Sequence, residues 1–145
     1  MNKKKNNKGF TLVELIVVMA IMAILIGALA PQVVKYVEKA RESKDVQVEQ
    51  TVFTAVQTAI ASSDTTITTF TAENLTSLSA AAADATWKSL ATEVKTLLAD
   101  DMQTDAGITG KCKSTKGKEA TGLKITYSGG KITVQIGTLK AVTND

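Results

Sequence analysis

The chain has 145 residues with 17 Lys and Arg against 14 Asp and Glu, one Cys, one Pro and no His, for a net charge of +3. Its length supports one small domain with an appended element. Lack of His excludes a catalytic histidine and a His-ligated metal, and a single Cys excludes an internal disulfide and a cysteine-based zinc or iron–sulfur site.

In chain order, residues 1–9 come first. Lys3, Lys4, Lys5 and Lys8 give this segment four positive charges and no negative one. Phe10 to Ala30 follow, 21 residues in which Thr11 and Glu14 are the strongly polar members. As a helix this run spans roughly 31 Å, which matches a bilayer core of ~30 Å. The lysines on its N-terminal side place the N-terminus in the cytoplasm, with everything after Pro31 exported. A secretory signal peptide fits less well. Ala28-Leu29-Ala30 resembles its exit site, but Pro31 follows directly and the apolar run is too long. A lipoprotein signal needs a Cys right after the run, and Cys112 is far away. A plain single-pass anchor accounts for the length and the lysines but not for Glu14. A soluble buried helix has no need of so long an apolar run.

An acid in an apolar span costs up to ~2.5–3.5 kcal/mol, less near the ends, and such a residue usually has a partner and a function. Cleavage between Gly9 and Phe10 creates a free amine one helical turn from Glu14. The helix dipole favours a carboxylate at this end. The same carboxylate can neutralise the amine of a neighbouring chain, and in a water-poor setting that pairing fixes the register between subunits.

The stretch Lys8-Gly9-Phe10-Thr11-Leu12-Val13-Glu14, a lysine-rich leader before it and about twenty apolar residues after it resemble the class III signal of type IV prepilins and their relatives. The resemblance covers about thirty residues. It implies that a prepilin peptidase cuts after Gly9 and methylates the amine of Phe10, that Glu14 governs docking into a filament, and that the head is pilin-like. The lone Cys112 departs from the disulfide that often closes Gram-negative pilin heads, which points to a Gram-positive type.

Pro31 cannot bond to the carbonyl of Gly27, itself a poor helix former. Gly27 and Pro31 therefore mark a local weak point. It is either a kink at the membrane exit or a segment that loses helicity and lengthens in a filament.

From Gln32 to Ser62 an apolar stripe (Val33, Val37, Ala40, Val48, Val52, Ala55, Val56, Ala59, Ile60) predicts an amphipathic continuation, so that one helix runs from Phe10 to about Ser62. Eight charged residues from Lys35 to Glu49 sum to zero and read as a solvated face, with Glu38–Arg41 and Arg41–Asp45 at pairing distance. Such a helix is roughly 80 Å long, and its apolar half needs lipid or other copies of itself. A Thr/Ser-rich break over 62–71 follows, then a short helix opening at Ala72 with Thr71 as its N-cap. Asp84 is expected to cap a second helix to Asp101, with Trp87, Leu90, Ala91, Val94, Leu97 and Leu98 on its apolar face. Asn74-Leu75-Thr76 matches a glycosylation acceptor pattern only weakly.

Seven of the nine glycines lie from Gly107 onward. Leu123–Tyr127 and Lys131–Ile136 alternate apolar and polar residues around Ser128-Gly129-Gly130, a hairpin signal. Leu139–Val142 suggests a third strand. A small sheet packed on the exported part of the long helix is the expected two-layer solution.

Little else carries chemistry. Asp100–Asp105 has three acids but lacks the Gly and distal Glu of a calcium hand. Lys111, Lys113, Lys116 and Lys118 flank Cys112 in a basic loop without aromatic residues. It reads as a solvated turn, with contact to DNA phosphates or another anionic polymer as the alternative. No catalytic residue, cofactor or metal is expected.

The sequence thus predicts an α+β, pilin-like chain. Residues 1–9 form the leader, 10–31 the membrane-spanning and filament-core helix, and 32–62 its amphipathic continuation. Residues 63–106 form a helical region and 107–145 a small sheet. The expected partners are membrane lipid before assembly, the prepilin peptidase, the pilus assembly machinery and further copies of the chain in a helical filament. Adhesion and twitching motility are the roles implied by the resemblance. A pseudopilin of a secretion or DNA-uptake system, and a membrane-anchored domain that never polymerises, are the alternatives.

Overall fold

A computed structural model describes residues 9–64, 66–72, 85–118 and 122–144. It consists of one long helix followed by a small antiparallel sheet with short helices between. Helix α1 runs from Leu12 to Ser62 and contains both Gly27 and Pro31. The chain divides into two units, Met1–Val37 and Glu38–Asp145.

In the first unit the large apolar side chains from Leu12 to Val37 are exposed by between 45% and 75%. This part of α1 is apolar on all sides, as expected for a helix surrounded by lipid or by other helices.

In the second unit α1 presents one stripe to the rest of the fold. Its members are Glu38, Glu42, Asp45, Glu49, Val52, Val56 and Ala59, at alternating spacings of four and three. That spacing keeps a single line of side chains on one face. The upper part of the stripe is acidic and the lower part apolar. Val52, Val56 and Ala59 pack into the core with Leu90, Val94, Ile108, Leu123, Ile125, Val134 and Ile136.

Strand β1 (Thr69–Ala72) follows α1, then helix α2 (Ala85–Leu97), a 3-10 turn (Asp100–Met102) and helix α3 (Asp105–Lys111). The sheet is completed by β2 (Leu123–Ser128), β3 (Lys131–Ile136) and β4 (Val142–Thr143). Its order is β1-β2-β3-β4, each neighbouring pair antiparallel. Gly129 and Gly130 form the β2–β3 turn, both with positive φ (57° and 88°). A two-residue hairpin requires that backbone, and glycine adopts it at low cost.

Period-two alternation sends Leu123, Ile125, Ile132, Val134 and Ile136 into the core. The opposite face is polar. The register aligns Thr71, Thr126, Thr133 and Thr143 in one row across all four strands.

Several expectations change. Thr71 and Ala72 belong to β1, where Phe70 stacks on its strand partner Tyr127 at 5.9 Å, and the rest of the short helix expected from Ala72 lies outside the described residues. The proposed glycosylation acceptor, the Asp84 cap and the side chain of Trp87 lie outside what the structure describes. The second helix ends at Leu97, which is 47% exposed, while Leu90, Ala91, Val94 and Leu98 are buried. Helix α3 replaces part of the expected acidic stretch and basic loop. Thr104 Oγ1 accepts from the N–H of Gly107 (3.0 Å) at its start. The third strand is only Val142–Thr143, and β1 adds a fourth. Val33, Val37 and Ala40, expected on the inward stripe, are exposed. Acids hold the inward positions above Val52.

Candidate functional site

Gly9 and Phe10 precede the helix. Phe10 is 91% exposed, and no atom lies within 4 Å of the point where a side chain on Gly9 would begin. Among the described residues, the fold therefore places no demand for glycine at residue 9.

The first turn of α1 is closed by Thr11 and Glu14. The N–H of Glu14 donates to Thr11 Oγ1 (3.2 Å), and the N–H of Thr11 donates to Glu14 Oε2 (2.8 Å). The Thr11 hydroxyl also donates to Glu14 Oε2 (2.8 Å). This is a reciprocal capping box, in which a threonine and a glutamate three residues later satisfy each other's free backbone donors. Its sequence signature, Thr-x-x-Glu, stands in Thr11-Leu12-Val13-Glu14. Glu14 is therefore satisfied by its own helix end. Gly9, Phe10 and Glu14 are thus gathered at one helix terminus. Gly27 and Pro31 lie farther along the same helix and take no part in that turn.

A second set of polar side chains sits on the acidic stripe of α1, and sequence reading missed it. Glu38 Oε1 accepts from the N–H of Thr115 (2.5 Å), and Glu42 pairs with Lys116 at 3.2 Å. Asp45 accepts from the N–H groups of Lys113 and Ser114 and from the Ser114 hydroxyl. Glu49 Oε1 accepts from the N–H of Ile136 (3.1 Å). The acids of the stretch read as a solvated face therefore form a clasp on the 113–117 loop and the end of β3, while Lys35, Lys39, Arg41 and Lys44 are exposed as expected. Of the two expected ion pairs, Arg41–Glu38 is present at 3.5 Å. Asp45 instead turns inward to the loop. The hydrogen bonds from Thr115 hold the Glu38 carboxyl below its ordinary range.

The basic loop is correspondingly less free than expected. Lys111 belongs to α3 and pairs with Asp101, and Lys116 is engaged by Glu42. Cys112 is fully buried in the core. Burial, then the charges of Asp45 and Glu49, push its thiol up to about 11. It serves as a small apolar packing residue rather than as a nucleophile. Among the described residues no group of three or more metal-ligating side chains occurs.

The described part of α1 is long and apolar enough to cross a membrane. The family model for the prokaryotic N-terminal methylation motif matches residues 4–30, the class III signal peptide of type IV pilins. That is a structural, pilin-type motif and not an enzyme family. No curated protein and no solved structure matches the chain.

Proposed function

We propose that this pilin-like precursor is a type IV pilus subunit, inserted as a single-pass membrane protein with a cytoplasmic N-terminus. A prepilin peptidase removes residues 1–9 and methylates Phe10. The assembly machinery then withdraws the helix from lipid into a filament that projects outside the cell. Helices from Phe10 to about Pro31 form the filament core and residues 32–145 complete the subunit, with 63–106 and 107–145 making the head.

The observation that carries this reading is the pairing of the methylation motif with a helix whose apolar side chains are unburied through Val37. Half-burying each of these side chains is worth about 1 kcal/mol. Over eighteen of them, from Phe10 to Val37, the gain is on the order of tens of kcal/mol, so the segment stays covered at every stage. Lipid covers it first and neighbouring copies cover it later. Because lipid is as apolar as the neighbours, the apolar contacts alone do not set axial register. Glu14 supplies it, by exchanging its capping contact for the methylated amine of Phe10 on its own or an adjacent chain.

The test is the intact mass of material sheared from cells. Loss of residues 1–9 together with one added methyl group is expected. An unprocessed N-terminus, or retention of the chain in the membrane, supports the anchored domain instead. Electron microscopy of the same material separates long filaments from the short fibres of a pseudopilin.

A further inference from the structure

The acidic stripe of α1 ends at Glu49, the one member with an unsatisfied oxygen among the described residues. Its side chain is completely buried. Oε1 takes the N–H of Ile136, whereas Oε2 has no hydrogen-bond partner. The position follows from the topology. Strand β4 pairs only with Thr133 and Val134, so the outer side of β3 is unpaired by Ile136, and a carboxyl from α1 takes the place of a strand. A buried carboxylate needs a cation or several donors to offset its lost hydration. Glu49 has one donor.

Among the described residues, the surrounding groups do not supply the missing charge. On α1, Asp45 one turn earlier is committed to Lys113 and Ser114, and Glu42 is committed to Lys116. Across from the helix stands the Cys112 thiol, neutral at physiological pH. Lys113, which follows it, is exposed, and Lys111 is held by Asp101. On the sheet, Lys124 and Lys131 fall on the polar outer face by register. On α2, Glu93 is bound to the Ser62 hydroxyl (2.5 Å), and Lys95 is not buried.

We propose that Glu49 is a proton-controlled clasp between α1 and the end of β3, closed when its carboxyl is protonated and weakened when it ionises. Desolvation pushes this carboxyl up to about 7 from an ordinary 4.5, against the lowering effect of the Ile136 N–H. The fold therefore binds the proton more tightly than the unfolded chain does. Its contribution is complete below about pH 4.5, falls as the pH rises toward 7, and is level above that. Glu38, shifted the other way, acts only below its ordinary 4.5, so the interval from pH 5 to 8 isolates Glu49. The clasp makes the head firmest in mildly acidic surroundings.

Full-length protein in detergent micelles, unfolded by urea at pH 5 and at pH 8, tests this. The wild-type unfolding constant is expected to rise on the order of a hundredfold from pH 5 to pH 8. In Glu49→Gln, and in Glu49→Met as a second variant, the rise should shrink to a few-fold. Coincident pH profiles for wild type and both variants overturn the proposal. Carboxyl-carbon NMR of the wild-type chain gives an independent reading that no variant can spoil. A midpoint near 7 at Glu49 supports the clasp, and one near 4.5 overturns it.

Discussion

Glu14 has one observed duty and one proposed duty, and they can be separated. In the precursor its carboxylate completes the capping box with Thr11, a contact worth about 1 kcal/mol to the helix start. In the filament it is proposed to bind an amine. Glu14→Ala removes both, yet it eases entry into lipid because a charged group no longer enters the apolar span. Membrane insertion is therefore expected to be intact or improved while filament incorporation drops sharply, as read by immunoblots of membrane and sheared fractions. Thr11→Val removes the side-chain cap but keeps the carboxylate, so its filament yield should fall much less. A normal yield from Glu14→Ala sinks the proposed role.

Asp45 shows why part of this chemistry was not legible. An aspartate among Lys44, Arg41 and Glu49 looks solvated, since charged residues are seldom buried. Only the fold shows three donors from residues 113 and 114 converging on it, 68 and 69 positions away. The Thr11–Glu14 contact carries a local Thr-x-x-Glu signature that the sequence reading did not use, whereas Asp45 and Glu49 depend on contacts that no periodicity reports.

At the scale of elements the same division holds. The β2–β3 hairpin was readable because alternation and a Gly-Gly turn are local signals. Strand β1 was not. Its four residues pair with β2 more than fifty positions later, and a run of threonines gives no clear period. Helix α3 contains Gly107 and Gly110, which lower helix propensity. Its Thr104 cap and the complete burial of Ile108 override that cost.

Gly137 marks a tight junction between elements. Its φ is +58°, and a Cβ there would lie 2.1 Å from the carbonyl oxygen of Lys116. That oxygen is itself held by the N–H of Thr138 (3.0 Å), so the loop cannot easily move aside. Gly137→Ala is expected to cost more than ~2 kcal/mol through strain and displacement of the loop. Gly129→Asn, at a similar φ of +57° in open space, should stay within about 0.5 kcal/mol. Urea midpoints of the full-length chain in detergent decide this, and equal midpoints for the two variants rule out the junction as described.

For the whole molecule, charge and apolar surface act at different stages. Lys3, Lys4, Lys5 and Lys8 stand in the proposed leader, whose removal would take the side-chain charge from +3 to −1. On the proposed reading, this basicity orients the precursor in the membrane and is lost with the leader. What remains is an acidic stretch over residues 63–106 and a basic one over 107–145, with net side-chain charges of −5 and +5. The structure already satisfies some of this polarity within one chain. Lys111 joins the two stretches through Asp101, and Lys116 reaches Glu42 on α1. If the heads held one another mainly by the remainder, salt would loosen them, because exposed charges are screened beyond roughly 8–10 Å near physiological ionic strength. Burial of the Phe10–Val37 surface is insensitive to that screening, and the proposed Glu14 contact would lie in a water-poor setting that screens poorly. Sheared filaments are therefore expected to keep their length between about 0.1 and 1 M sodium chloride, as measured by electron microscopy and sedimentation. Dissociation across that range would move the main cohesive contact from the helix core to the charged surfaces of the heads.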